Sequence, residues 1–317
     1  MSDHEALKEF NEKFSLNIEN TDVRELDFDE KTLGVDGLIS LGKINFKNLE
    51  KLILSDNEIS EIDGLTELKF FNLKELDLSS NGISDISVLE KVNFKNLERL
   101  ILKENEISDL DVLEEVNFPN LKVLDLTANQ ISNIGIFEYA NFPNLEILEL
   151  GYNNSLSDFE SLGRANFKNL KKLDLGGCEI SDLSFLENVD FPNIEELIAY
   201  ENVITDISAL EKVKFKKIEV LDLHFNQISD ITALKNINFF VKNLDLSANQ
   251  ISDISALEKA NFQNFGKLDL SSNKISDINV LNNIKKEDLE KLDLSDNIFN
   301  QGNSKVNDLN DDLNDEL

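Results

Sequence analysis

An asparagine recurs at an almost constant interval along this chain, and this repetition constrains the fold more than any other feature of the sequence. Most steps are 24 residues, and a cysteine replaces asparagine at one position: Asn57, Asn81, Asn105, Asn129, Asn153, Cys178, Asn202, Asn226, Asn249, Asn273 and Asn297. We call these positions the ladder. Periods of this length are typical of solenoids, in which each repeat contacts only its neighbours. The chain is therefore predicted to be one repeat array rather than two ordinary domains.

Each ladder residue ends the same motif, in which leucines alternate with variable residues before the asparagine. Residues 73–81, LKELDLSSN, are one copy, and a degenerate first copy spans residues 23–31, so twelve copies are present. Alternate residues of a strand point to opposite faces. Leu76 and Leu78 are thus predicted to face a core shared with the neighbouring repeats, and the strands are predicted to form a parallel sheet.

The motif resembles the leucine-rich-repeat signature over roughly residues 21–299. The resemblance implies an α/β solenoid, a horseshoe of about 12 turns of about 24 residues. A parallel β-sheet would line its concave face, and short helical or 3₁₀ turns its convex face. It also implies that ladder side chains bond the backbone of adjacent turns and that Cys178, the family's usual substitute for asparagine, is structural.

The segment after each ladder residue carries apolar residues at a spacing of three, as at Ile83, Ile86 and Leu89. This spacing predicts a helical or 3₁₀ turn. A serine followed three residues later by glutamate is the signature of a capping box, so the turns are predicted to begin there. The pairs, one with aspartate in place of serine, are Ser87 and Glu90, Asp111 and Glu114, Ser184 and Glu187, Ser208 and Glu211, and Ser255 and Glu258.

A phenylalanine occupies one slot of ten successive repeats and is predicted to form an aromatic row inside the solenoid. The ten are Phe46, Phe70, Phe94, Phe118, Phe142, Phe167, Phe191, Phe215, Phe239 and Phe262.

The exposed ends of a solenoid need covers. Leu7, Phe10 and Phe14 share one face of a predicted helix that Ser2 and Glu5 would cap. Residues 1–20 are therefore predicted to be an N-terminal capping helix, and residues 21–299 the leucine-rich-repeat solenoid. Residues 300–317 are acidic, rich in asparagine and aspartate, and predicted to be a disordered tail.

The chain carries 62 acidic and 31 basic residues, for a formal net charge of -31. Such a surface repels phosphate backbones and anionic lipids, so neither nucleic acid nor a membrane is an expected partner. A protein partner with a basic surface is favoured instead. A single cysteine and an N-terminus without a secretion signal favour a cytoplasmic location, with the nucleus as an alternative.

Catalytic motifs are not apparent in the sequence. The repeats hold one histidine, His224, and no glycine-rich phosphate loop. The chain is therefore predicted not to be an enzyme and to need no cofactor, and no catalytic or metal-binding residue is assigned.

The variable residue between the paired leucines is acidic in nine of the twelve copies: Asp27, Asp77, Asp125, Glu149, Asp174, Asp222, Asp245, Asp269 and Asp293. Neighbouring strands would align these carboxylates in a row. The row would suit a basic partner; the alternative is that it is the solvated habit of the family's motif. Hard cations need more oxygen ligands than a single row offers, so the row is not predicted to bind metal.

Five copies of the motif depart from its consensus, and three of these five cluster: LELGYN, LIAYEN and LDLHFN. Gly176 and Gly177 of the intervening copy predict a depression between Tyr152 and Tyr200. Aromatic residues with an acidic rim are typical of interface hot spots. The predicted partner-binding residues are Tyr152, Ile198, Tyr200, His224, Phe225, Glu149, Asp174 and Asp222. Local packing of Tyr152 and Phe225 over the strand edge is the alternative.

Segments such as residues 81–89, NGISDISVL, also resemble those of two subgroups, the regulators of a serine/threonine phosphatase and the bacterial internalins. Three functions follow. The first is a protein–protein interaction module that binds a partner on an acidic concave face. The others are a regulatory subunit of a phosphatase or similar enzyme, and an exported adhesin.

Overall fold

The computed structural model describes residues 2–154 and 156–298. The chain divides into two compact units, residues 1–170 and residues 171–317. Among the described residues, each unit contains six short strands that pair in parallel and in sequence order.

The first unit contains the strands β1 (Glu25–Asp27), β2 (Lys51–Ile53), β3 (Glu75–Asp77), β4 (Arg99–Ile101), β5 (Val123–Asp125) and β6 (Ile147–Glu149). Its helices are α1 (Asp3–Phe14), α2 (Gly34–Leu41) and α3 (Ser161–Arg164), and its 3₁₀ segments are Asp63–Glu67, Ser87–Glu90, Asp111–Glu114 and Gly135–Glu138.

The second unit contains the strands β7 (Lys172–Asp174), β8 (Glu196–Ile198), β9 (Val220–Asp222), β10 (Val241–Asp245), β11 (Phe265–Asp269) and β12 (Leu292–Asp293), and the helix α4 (Lys286–Leu289). Its 3₁₀ segments are Ser184–Asn188, Ser208–Glu211, Thr232–Lys235, Ser255–Lys259, Phe262–Asn264 and Asn279–Asn283.

The repeated leucines form the core, as their alternation predicts. Leu76 pairs in register with Leu52 and with Leu100, and all three side chains are fully buried. The leucine-rich-repeat solenoid predicted from the motif is therefore confirmed, with twelve strands in the described residues.

The ladder joins successive repeats through side-chain hydrogen bonds. The Asn129 amide nitrogen donates to the carbonyls of Leu102, Leu126 and Thr127, while its Oδ1 accepts the Ile107 N–H at 3.0 Å. Leu102 and Ile107 belong to the preceding repeat, so one amide ties two turns together. Among the described residues, no buried side-chain nitrogen or oxygen is left without a hydrogen-bond partner.

The residue before each ladder position has a left-handed backbone, with φ between 50° and 65°. Only one of these residues is glycine, Gly177; the others include Tyr152 and Phe225. A left-handed backbone costs a non-glycine residue energy and persists where the surroundings fix it. The multiple bonds of the adjacent ladder side chain fix it here.

The predicted capping boxes of the 3₁₀ turns are wrong. Ser87 is the first residue of its turn and Ile86 is the N-cap. No side-chain hydrogen bond caps the N-terminus of this turn. The same holds for Asp111, Ser184, Ser208 and Ser255. An aspartate two residues earlier supplies the acceptor instead: Asp85 Oδ1 accepts the Ser87 N–H at 2.8 Å. An N-cap residue must precede the first residue of the helical turn, and a serine that lies within the turn therefore cannot be the N-cap.

The predicted phenylalanine row is buried, and two pairs of neighbouring rings in it meet edge to face. Phe46 and Phe70 have ring centroids 5.7 Å apart, and Phe215 and Phe239 have centroids 5.2 Å apart.

Helix α1 lies at the start of the first unit. Ser2 and Glu5 form its capping box, and Phe10 is buried against Phe28 at a centroid distance of 5.7 Å. The predicted acidic tail, residues 300–317, lies outside the described residues, as does Phe299.

Candidate functional site

The residues between the paired leucines lie on the side of the sheet opposite the core, which we call the strand face. Eight of the nine acidic residues predicted there are aspartates, and each accepts a backbone N–H two residues further along the chain. Asp77 Oδ1 accepts from Ser79 at 2.9 Å and Asp293 Oδ1 from Ser295 at 3.0 Å; Asp27, Asp125, Asp174, Asp222, Asp245 and Asp269 do the same. The row of aspartates therefore holds the turn that follows each strand.

Asp125 differs from the other carboxylates of this row because its side chain is buried. Asp125 is buried on β5, where it pairs in register with Glu149 on β6. Desolvation raises the pKa of Asp125, and the neighbouring Glu149 charge acts in the same direction, although the Thr127 hydrogen bonds oppose it. Negative charge is therefore costly at this point of the strand face.

A lysine offsets the charge near the end of the second unit. Lys267 Nζ lies 2.9 Å from Asp269 Oδ2 and 3.8 Å from Asp293 Oδ2. The hydrogen bond to Asp269 is the main reason that the pKa of Lys267 is raised. One cation thus serves two carboxylates on adjacent strands.

The first unit holds two of the predicted partner-binding residues, Tyr152 and Glu149. Tyr152 follows β6 with a left-handed backbone and is 44% exposed. Glu149 ends β6 and is half-buried.

The second unit brings three of the predicted residues into ring contact. The Tyr200 ring stacks on the His224 ring at a centroid distance of 4.9 Å and an interplanar angle of 21°. The Phe225 and His224 rings form a T-shaped pair with centroids 5.4 Å apart, and Phe225 is 59% exposed. These residues follow the adjacent strands β8 and β9, and we call Tyr200, His224 and Phe225 the aromatic cluster.

The expected depression at Gly176 is not open. A Cβ atom at Gly176 would lie 2.9 Å from the Tyr200 ring, so the ring covers the space that the missing side chain leaves. Glycine therefore admits the tyrosine of the next strand. Tyr200 lies between Gly176 on one side and His224 on the other, and this sandwich explains why it is half-buried.

Acidic and apolar residues surround the aromatic cluster. Asp222 Oδ1 lies 2.5 Å from His224 Nδ1, and Ile198 pairs in register with both Asp174 and Asp222 on the flanking strands. The second unit thus brings together six of the predicted residues, which are Asp174, Ile198, Tyr200, Asp222, His224 and Phe225.

One residue beside this surface, Asp245, belongs to the predicted acidic row but not to the predicted partner-binding residues. Asp245 pairs in register with Asp222 and lies close to His224. Its place in the row of acids could have shown its proximity to Asp222, but the direction of the His224 ring required the structure.

Comparison with known proteins establishes the family. The model described as leucine-rich repeats in two copies matches residues 47–91, 71–115, 95–139, 119–164, 143–188 and 192–236. These matches cover more than half of the chain, so the chain belongs to the leucine-rich-repeat family. None of the curated proteins compared with the chain matches it significantly in sequence.

Several solved structures are similar. An internalin from Listeria monocytogenes has 26% identity over 94% of this chain and 95% of its own, with a TM-score of 0.53. A leucine-rich-repeat protein of Leptospira interrogans has 21% identity over 91% and 94%, with a TM-score of 0.51. A chain in the octameric complex of Latrophilin 3, Unc5D and the leucine-rich-repeat protein FLRT2 has 19% identity over 92% and 88%, with a TM-score of 0.64. The last two, at such low identity, show the fold alone.

The fold suggests a protein–protein interaction module, and the internalin likeness agrees with the internalin-like motif in the sequence. Within the described residues, no helix has both the length and the apolar character that crossing a membrane requires.

Proposed function

We propose that this protein is a non-enzymatic interaction module that binds a partner protein through its strand face. The observation that carries the proposal is the aromatic cluster, in which a 59% exposed Phe225 stands beside the stacked rings of Tyr200 and His224. Exposed aromatic residues on a rigid sheet give a large contact area at a small cost in side-chain entropy. The cluster would bind the apolar part of the partner.

The charge around the cluster supports a partner with a basic surface. Asp174 and Asp222 flank Ile198 on adjacent strands, and the chain as a whole has a formal charge of -31. Acidic residues at the rim of an interface accelerate association with a basic protein and disfavour acidic ones. Tyr152 and Glu149 of the first unit are proposed as further contacts.

The internalin likeness favours a second candidate function, an exported adhesin, because it spans nearly all of both chains. A regulatory subunit of a phosphatase or similar enzyme is the third candidate, supported by the motif of residues 81–89. Fractionation of the native cell distinguishes them: an adhesin would be found at the surface or in the medium, and a regulator in the cytoplasm or nucleus. Binding of a regulator would also change the rate of the partner enzyme.

The interaction is tested by quantitative co-purification from the native cell with Phe225→Ala. Alanine already occupies this left-handed slot at Ala128 and Ala248, so the turn should be kept. Phe240→Ala is the matched control, because Phe240 is 56% exposed in the same unit but precedes a strand instead of following one. Recovery of the partner should fall about tenfold with Phe225→Ala and stay unchanged with Phe240→Ala.

Equal recovery with wild type and both variants would contradict a role for the aromatic cluster. Tyr152→Ala tests the first unit separately. If the recovered complex is held by charge, it should also dissociate as sodium chloride is raised from about 0.1 M to 1 M, where charges are screened over about 3 Å.

A further inference from the structure

Three side chains of the second unit converge on one point of the strand face. Asp222, His224 and Asp245 each place a potential ligand atom within 4.8 Å of the other two. All three residues are half-buried, Asp222 and Asp245 are register partners on β9 and β10, and His224 follows β9. The group therefore combines an imidazole with two carboxylates.

The histidine replaces a serine of the repeat. In other copies the serine hydroxyl donates to the aspartate two residues earlier, from Ser79 to Asp77 at 2.6 Å and from Ser295 to Asp293 at 2.8 Å. His224 keeps this contact through Nδ1, 2.5 Å from Asp222 Oδ1. The substitution thus preserves the turn and adds a nitrogen that can bind a metal.

The neighbouring aromatic rings limit the directions that this nitrogen can take. Tyr200 stacks on one face of the imidazole, and the Phe225 ring lies in a T-shaped arrangement with it. A ligand side chain that is held by its neighbours loses less entropy when it binds an ion.

The row of strand-face acids already contains one pair of aspartates on adjacent strands that shares a positive charge. Asp269 and Asp293, on β11 and β12, share the ammonium group of Lys267. Asp222 and Asp245 are register partners in the same row, and carboxylates directly opposite each other destabilise a sheet. A cation beside Asp222 and Asp245 would offset their repulsion as Lys267 does for the other pair.

We propose that Asp222, His224 and Asp245 bind a divalent first-row transition-metal ion of the zinc class. Imidazole with carboxylates selects such ions, whereas Mg²⁺ and Ca²⁺ prefer oxygen ligands alone. Ligands about 2.0–2.2 Å from a tetrahedral ion lie roughly 3.4 Å from one another, so small rotations of half-buried side chains complete the site. Three protein ligands leave a position for water or for a group of the partner.

Binding must displace any proton held between His224 Nδ1 and Asp222, because a nitrogen that binds a metal cannot carry a proton. That proton goes to solvent or buffer.

The test is calorimetric titration of the untagged full chain with Zn²⁺, with Co²⁺ absorption as a second readout of coordination. His224→Ser restores the serine of the other repeats, so the turn should fold. His4→Ser is the matched control, because His4 and His224 are the two histidines of the chain. We expect one Zn²⁺ per chain in wild type and in His4→Ser, and at least tenfold weaker binding in His224→Ser and Asp245→Asn.

Absence of saturable binding at pH 7.5, or equal affinity in wild type and His224→Ser, would overturn the proposal. So would a loss that follows His4→Ser alone. Circular dichroism of His224→Ser checks that a loss of binding is not a loss of fold. The titration contains no partner protein, so its result does not depend on the proposed interaction.

Discussion

Two series of asparagines run through the first unit, and they differ in burial. The ladder asparagines follow the strands, each with several hydrogen bonds, and all of them in this unit are buried except Asn81, which is half-buried. A second series precedes the strands, is exposed, and donates from each amide to a carbonyl of the repeat before. We call it the outer series; its members are Asn72, Asn96, Asn120, Asn144 and Asn169, which bond Lys47, Phe71, Lys95, Pro119 and Pro143.

Because of this difference in burial, we expect an amide–carbonyl hydrogen bond between repeats to contribute more to stability after a strand than before it. Loss of an exposed amide lets water replace it at the carbonyl. Loss of a buried amide leaves backbone groups without a partner, at roughly 1–3 kcal/mol for each group. Stability of the repeats should therefore depend much more on the ladder than on the outer series.

The largest effect is expected for Asn129→Ala. This change leaves the buried Ile107 N–H without a partner and removes one of the two amide bonds to the Leu102 carbonyl, which keeps the bond from Asn105. The free energy of unfolding should fall by about 2–3 kcal/mol. Urea denaturation followed by circular dichroism measures it, and a loss under about 1 kcal/mol would contradict the importance of the ladder.

A smaller effect is expected for Asn120→Ala, the member of the outer series in the same repeat. Its single exposed bond to the Lys95 carbonyl measures 2.9 Å. We expect a loss of about 0.5–1 kcal/mol in the same denaturation experiment. If Asn120→Ala cost as much as Asn129→Ala, burial would not be the cause of the difference.

Aspartates extend the comparison of burial, because Asp125 and Asp85 make the same contact with a backbone N–H two residues on. Burial raises the pKa of Asp125, whereas the hydrogen bonds from Ser87 lower the pKa of the exposed Asp85. At pH 7 the charge of Asp125 therefore disfavours the folded state, and Asp125→Asn should stabilise the protein by less than about 1 kcal/mol. The melting temperature at pH 7 measures this gain.

The smallest effect is expected for Asp85→Asn, with the opposite sign. Asparagine occupies the same slot at Asn133, where it accepts the Gly135 N–H at 2.7 Å. The variant keeps the contact and loses only a screened charge, so a loss of a few tenths of a kcal/mol at most is expected.

The pH dependence of stability follows from the directions of the two pKa shifts. The contribution of Asp85 is present above the ordinary carboxyl pKa and is lost as the pH falls through its lowered value. The penalty of Asp125 appears as the pH rises through its raised value, and it is absent in acid. Both variants should therefore approach wild-type stability near pH 3. A gain for Asp125→Asn that persists at pH 3 would exclude charge as its cause.

The acidity of the chain has a structural origin in large part. Strand-face aspartates and turn aspartates both accept backbone N–H groups, as at Asp77 and Asp206. The charge alone therefore indicates little about the partner. The aromatic cluster and His224, which depart from the repeat, are the better guide to function.

Much of the candidate site could be predicted from the sequence because register follows from the repeat. A constant period places Ile198 beside Asp174 and Asp222 without any structure. The capping boxes could not be settled in this way, because two carboxylates compete for the Ser87 N–H. Asp85 accepts it from outside the turn, in the place that Glu90 would take in a capping box.

The sequence by itself determined the period, the strands, the buried leucines and the ladder, because each is repeated and depends on neighbours at a fixed distance along the chain. Only the tertiary structure decided what the unrepeated residues do. Tyr200 lies over Gly176 and against His224, and His224 lies beside Asp222 and Asp245. Side-chain directions of this kind depend on the packing of each ring against adjacent strands, which periodicity does not specify.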